Sequence, residues 1–284
     1  MSSQEKFTDP DGHYARHAVL CWSGGMDSTS LLFHLLARGF RVTALSIDYG
    51  QKHRFELECV RRQCRYLKEV ALAEHVELIE LDLSAIGNSL YSALTNAQYA
   101  VPLGHYQAES MKQTVVPNRN SIFFSLAAAV ALSMATRDAR PVKLSLAVHS
   151  GDHEIYPDCR PEFYDAIWHS FQMGNWDADQ VELYLPYLNL DKAVILSDAA
   201  ESIAKLELDF DRVFRNTCTS YMPNDSGISH GLTGSDVERI LAFHAIGRQD
   251  PIPYQRPWEE LVESALTIQA NQIAINLDSR QKSG

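Results

Sequence analysis

The 284-residue chain is 45% hydrophobic and 21% charged, the composition of a folded globular protein large enough to bury a core without covalent staples. Its formal net charge of −11 argues against a general nucleic-acid binder, which needs a basic face to release counterions, but leaves room for a local anion site built from backbone N–H groups. The five cysteines are odd in number and show no Cys-x-x-Cys spacing, so no disulfide framework is expected and a reducing cytoplasm is. The polar N-terminus has no apolar signal core, and the most apolar stretch, 122–135, is too short for a bilayer, so no membrane association is expected.

In chain order, residues 18–22 predict a short buried strand and 27–38 a helix stopped by Gly39. Residues 41–48 read as a strand, 54–71 as an amphipathic helix and 75–81 as a strand. A mostly apolar helix at 120–135 precedes a strand at 142–149, then a helix at 161–173 with Pro161 in its first turn. A strand at 181–185 and a helix at 191–205 follow, and the last clear helix is 258–270. The alternation predicts an α/β fold with a doubly wound, mainly parallel sheet covered on both faces. Residues 84–116 form the longest irregular segment, and the pattern weakens from Arg212. The expected division is a main α/β domain at 1–211 and an appended helical C-terminal subdomain at 212–284.

Between the first strand and the first helix lies Ser23-Gly24-Gly25-Met26-Asp27-Ser28-Thr29. Glycines let backbone approach a ligand, and the free N–H groups of a first helical turn, with the Ser23, Ser28 and Thr29 hydroxyls, suit phosphate oxygens. Asp27 adds negative charge to an anion site, which makes sense where it faces a Mg²⁺ bridging phosphates. A bare Ser-Gly-Gly is as readily a capped turn; the full string after a first strand is more specific. No Gly-Lys-Ser/Thr ending follows, so this is not a Walker-type loop.

Ser-Gly-Gly-x-Asp-Ser resembles the loop of the PP-loop ATP pyrophosphatases, whose Rossmann-like fold is that of the adenine nucleotide alpha-hydrolases and which cleave ATP between the α and β phosphates. Further motifs narrow the likeness: Asp48-Tyr-Gly-Gln-Lys-His-Arg54 with Glu56, Val115-Val-Pro-Asn-Arg-Asn120, the run from Val148 to Arg160, Pro186 to Lys192, and Asp250-Pro251 with Tyr254. In that order they resemble the 7-cyano-7-deazaguanine synthase (QueC) family, over residues 18 to 254. The resemblance implies ATP, Mg²⁺, 7-carboxy-7-deazaguanine and ammonia as reactants, the nitrile preQ0 of queuosine biosynthesis as product, and a homodimer. It assigns Ser23, Gly24, Gly25, Met26, Asp27, Ser28, Thr29, Asp48 and Gly50 to the nucleotide. Asp27, with Arg119 and Lys192 as cations, falls to catalysis. His149, Tyr156, Asp158 and Arg160 fall to the deazaguanine, while Cys159 reads as a packing residue. His53 and His153 are further candidates for ligand contact, although a single histidine is more often structural.

The family carries a four-cysteine zinc site near its C-terminus. Matching its flanking Thr, Tyr, Arg and Phe to Thr217, Tyr221, Arg239 and Phe243 puts Ser220, His230, Thr233 and Asp236 at the ligand positions, with Cys218 two residues early. Serine and threonine rarely bind zinc, so no zinc is expected, and 223–234 would fold by packing and hydrogen bonds. This departure suggests a divergent branch. Relatives occur in antiviral defence operons, where the activated carboxylate would be joined to another amine, such as a protein N-terminus. A catalytically inactive nucleotide-binding partner is the alternative of a different class, and the complete phosphate loop argues against it. RNA thiolation by a PP-loop enzyme would call for Cys-x-x-Cys pairs and a basic surface, which the sequence lacks.

Overall fold

Five parallel strands form the sheet: β1 (His17–Cys21), β2 (Arg41–Asp48), β3 (Val76–Asp82), β4 (Val142–Ser145) and β5 (Val181–Tyr184), in the order β3-β2-β1-β4-β5. Leu20 pairs with Ala44 on one side and with Ser145 on the other, so β1 is the central strand. The computed structural model describes Phe7 and residues 16–52, 54–87, 89–95, 114–152, 156–220 and 228–282. The helices are α1 (Met26–Ala37), α2 (Phe55–Glu69), α3 (Ser84–Gly87), α4 (Arg119–Asp138), α5 (Pro161–Gly174), α6 (Lys192–Lys205), α7 (Phe210–Arg215), α8 (Gly234–Ala245) and α9 (Trp258–Lys282).

Successive residues of a strand point to opposite faces, and β1 serves two cores accordingly. Ala18 and Leu20 pack with Leu31, Leu35, Ile195 and Ala199 of α1 and α6. Val19 packs with Phe124, Ala127 and Ala131 of α4 and with Phe171 of α5. Both faces of the sheet are therefore covered, the doubly wound arrangement that the alternating pattern predicts. The apolar helix α4 lies against β1 and β4 as a core helix.

Three differences from the sequence reading bear on the site. β4 ends at Ser145, and the apolar residues after it turn over the end of the sheet. α9 runs past 270 to Lys282. Short α7 and α8 fill the stretch where the pattern weakens. Phe214 and Phe243 enter the α1/α6 core, while Val237, Ile240, Leu261 and Ala265 form a small core between α8 and α9.

Candidate active site

In an open parallel sheet, ligands sit outside the carboxyl ends of the strands, where the chain turns to opposite sides of a central strand. Here that point lies between β1 and β4. The cleft, of about 240 Å³, is lined by the loop after β1, by Tyr49 and Gln51 after β2, and by Leu146 to His149 after β4.

The loop after β1 is braced by its own hydroxyls. Ser23 N–H donates to Ser28 Oγ (3.3 Å), Gly25 N–H donates to Ser23 Oγ (3.2 Å), and the two serine hydroxyls meet at 3.1 Å. Gly24 has a φ of 87°, and a Cβ on it would lie 2.3 Å from the backbone oxygen of Glu56. Both the handedness and the room demand glycine. From the far end of the chain, Cys218 N–H donates to the Gly24 carbonyl (3.1 Å) and Met26 N–H to Thr219 Oγ1 (3.4 Å).

α1 and α6 run side by side with their N-termini at the cleft. His34 bridges them: its Nδ1 meets Asp198 Oδ2 at 2.8 Å and its Nε2 meets the Tyr184 hydroxyl at 2.7 Å. This register brings Asp27, in the first turn of α1, close to Lys192, the first residue of α6. Lys192 Nζ is 3.7 Å from Asp27 Oδ2 and 2.8 Å from Glu238 Oε2 of α8. His149 is buried, and its Nδ1 accepts from Gly151 N–H at 3.1 Å. That bond leaves the proton on Nε2, which faces Asp27 Oδ2 at 3.6 Å. Asp27 Oδ1 is buried and has no hydrogen-bond partner among the described residues.

Arg119 opens α4 on the opposite wall. Its Nε donates to Asn120 Oδ1 (3.3 Å), and its guanidinium lies 6.0 Å from the Tyr49 ring centre. Glu56 also lines the cleft. Burial pushes its carboxyl up to about 7, with the charge of Arg119 pulling the other way. Cys21 lines the cleft too, but burial raises its thiol to about 12, so it offers no thiolate nucleophile.

Of the residues singled out in the sequence, the cleft brings together Ser23, Gly25, Met26, Asp27 and Ser28 on one wall and Arg119, His149 and Lys192 around them. Gly24 stands behind the loop. Thr29 is buried, its hydroxyl accepting from the Trp22 indole at 3.1 Å, and does not line the cleft. Asp48 and Gly50 also lie off the lining; Asp48 Oδ1 accepts from Gly50 N–H at 3.0 Å and so shapes the turn after β2. Tyr156 is buried with its hydroxyl 2.9 Å from that of Thr114. Asp158 and Arg160 flank the cleft-lining Cys159 without lining the cleft themselves. Asn120 Nδ2 joins that string to α4, donating to the Asp158 carbonyl (3.2 Å) and to Cys159 Sγ (3.4 Å). His53 and His153 lie outside the described residues. Thr219, Ser235 and Glu238 were not anticipated, because they fall where the hydrophobic period gives no element to place them on.

Ser220, His230, Thr233 and Asp236 converge in space. The Asp236 carboxylate is buried and accepts from Ser229 Oγ (2.7 Å), Thr233 Oγ1 (2.7 Å), Thr233 N–H (3.1 Å) and Ser220 Oγ (3.3 Å), with His230 Nδ1 at 3.8 Å. Two hydroxyls, one imidazole and a carboxylate already engaged by donors do not suit zinc. Among the described residues no three His, Cys, Asp or Glu side chains cluster as metal ligands.

The family model described as "Queuosine biosynthesis protein QueC" matches residues 17–247. The 7-cyano-7-deazaguanine synthase 1 of Colwellia psychrerythraea is 42% identical over 85% of this chain and 100% of its own length. The 7-cyano-7-deazaguanine synthase of Methanoregula boonei is 40% identical over 84% of this chain and 99% of its own. Among solved structures, a 4-thiouridine synthetase in complex with RNA and ATP aligns over 90% of this chain and 53% of that one, at 16% identity and a TM-score of 0.41. A family match over most of the chain, joined to relatives of this identity and coverage, means that the chain belongs to the QueC family.

Proposed function

We propose that this chain activates 7-carboxy-7-deazaguanine as an adenylate at the expense of ATP, and that attack by ammonia leads on to the nitrile preQ0. The observation that carries this reading is the convergence of the Ser23–Ser28 loop, Asp27, Lys192 and Arg119 on one cleft of a QueC-family chain. A carboxylate is a poor electrophile. Its oxygen attacks the α-phosphorus, pyrophosphate leaves, and the acyl carbon then carries AMP as leaving group. Ammonia displaces AMP to give the amide. A second ATP-dependent activation of the amide oxygen, followed by its loss, gives the nitrile.

The chain's own groups suit the charges that develop. The Ser23 and Ser28 hydroxyls and the first-turn N–H groups of α1 would hold the departing pyrophosphate. Lys192 and Arg119, from opposite walls, would offset charge at the α-phosphate and the substrate carboxylate. Mg²⁺ fits beside Asp27, whose buried Oδ1 has no partner among the described residues; one carboxylate suffices for an ion held mainly by phosphate oxygens and water. When bound, such an ion would neutralise the leaving pyrophosphate. By family resemblance Asp158 and Arg160 would take the guanine-like edge of the heterocycle, reached from their place beside the cleft lining, with Tyr156 bracing their turn. His149, its Nε2 proton toward Asp27, keeps that carboxylate oriented.

The test incubates the protein with 7-carboxy-7-deazaguanine, ATP and Mg²⁺, with and without ammonia, and identifies products by mass spectrometry. Pyrophosphate is expected in both cases, AMP and preQ0 only with ammonia, which displaces AMP from the adenylate, and none of the three from Asp27→Ala. Absence of substrate-dependent pyrophosphate release from the parent protein would overturn the reading. Pyrophosphate without preQ0, together with an added deazaguanine mass on a protein amine, would redirect it to conjugation.

A further inference from the structure

Glu238 has no part in the chemistry above, yet from the middle of α8 it meets Lys192, which lines the cleft. Its Oε2 stands 2.8 Å from the Lys192 ammonium, which is 3.7 Å from Asp27 Oδ2. The side chains of Lys192, Asp27 and Glu238 are only 9%, 17% and 18% exposed. A cation so enclosed needs partners of opposite charge, and among those of Lys192 are the acid at the loop after β1 and an acid from the C-terminal segment.

We infer that Glu238 is a positioning residue that holds the Lys192 ammonium off Asp27, so that cation and acid meet a bound triphosphate as separate groups instead of neutralising each other. The inference rests on the reading of Asp27 and Lys192 as phosphate-handling groups. It follows from where the charges sit. Without Glu238, Asp27 is the nearest carboxylate at Lys192 among the described residues; it already stands within loose ion-pair distance at 3.7 Å, and a movement of just under an ångström would bring the two into direct contact. That pair would occupy the acid and withdraw the cation. α8 is built to hold Glu238 still. Its first turn is fixed by the capping box of Thr233 and Asp236. Its next residue, Arg239, is fully buried and clamps Asp250 through Nε (2.6 Å) and Nη2 (2.9 Å). Ser235, one turn before Glu238, lines the same cleft, as the i, i+3 geometry of one helix face requires.

Glu238→Ala is expected to lower kcat for pyrophosphate release about ten- to a hundredfold, the usual effect of a displaced catalytic group. The KM for 7-carboxy-7-deazaguanine should stay within about twofold, since the heterocycle is not touched. Affinity for α,β-methylene-ATP with Mg²⁺, measured by calorimetry, should fall as well. Glu238→Gln retains an acceptor oxygen for the ammonium and should recover much of the loss. In a Lys192→Ala background, either substitution should cost nothing more. Thermal melts report folding; if Glu238→Ala does not fold, Glu238→Asp, which draws the carboxylate back from Lys192 by one methylene, carries the same cycle. Parent-like kcat and nucleotide affinity in Glu238→Ala, or losses that multiply in the Lys192→Ala background, would overturn the inference. Should the parent protein release no pyrophosphate, the proposed reaction fails, and the calorimetric cycle still decides the role of Glu238.

Discussion

Glu56 shows what a side chain's surroundings add to its identity. In the sequence it is one acid within a motif; in the fold it lines the cleft with a carboxyl raised to about 7 against an ordinary 4.5. The unfolded chain therefore releases this proton first as pH rises. Between about pH 4.5 and 7 the folded state binds more protons, so its stability falls through that window and then levels off. Glu56→Gln should remove this slope, leaving stability near pH 4 unchanged and raising it at pH 8 by about 1–3 kcal/mol. Urea unfolding at both pH values measures it; an equal effect at each would show that the carboxyl is not the cause. The shape of the loop after β1, by contrast, was legible: Gly24, Asp27 and Ser28 sit where a strand–loop–helix turn puts them, because the signal there is local, whereas Thr29, read with them, accepts from the Trp22 indole away from the cleft lining. Asp158 and Arg160 were legible only as a string; the fold leaves them beside the cleft lining, with the Asp158 carbonyl tied to Asn120, 38 residues away.

At the level of elements, the sheet and its flanking helices were predictable because their apolar residues recur at a clear period. α8 was not. Asp236 and Arg239 are polar and fully enclosed, which erases the amphipathic stripe that marks a helix. What organises α8 is the Asp236 carboxylate, which gathers the hydroxyls of Ser220, Ser229 and Thr233 from the chain leading into the helix. Asp236→Ala would strand the Ser229 and Thr233 hydroxyls and the Thr233 N–H without an acceptor. We expect a loss of about 2–4 kcal/mol in urea unfolding, more than a surface cap contributes. The same network predicts that the purified protein contains no stoichiometric zinc and melts at the same temperature with or without EDTA. One zinc per chain by elemental analysis, lost together with folding, would show that Cys218 had joined a shifted ligand set.

For the whole molecule, the C-terminal residues and the sheet form one mechanical unit at the cleft. Arg239 lies at the junction, its Nη1 donating to Thr217 Oγ1 (2.8 Å) and Thr219 Oγ1 (3.0 Å) while its other nitrogens hold Asp250. Arg239→Met leaves Asp250 buried without its cation, and the loss should be about 3–5 kcal/mol. Asp250→Asn keeps the shape and weakens the pair. It should cost less stability, yet still slow pyrophosphate release by loosening Thr219 against the phosphate loop. Unchanged turnover in that variant would separate the clamp from the chemistry.

The bond from Met26 to Thr219 spans 193 positions of sequence. A ribosome therefore makes the loop long before the segment that walls it. Until residues 218–238 have emerged and packed, the loop has its hydroxyl braces but lacks Cys218, Thr219 and the α8 acid beside Lys192. A nascent chain with its strands already in register still has an unfinished cleft.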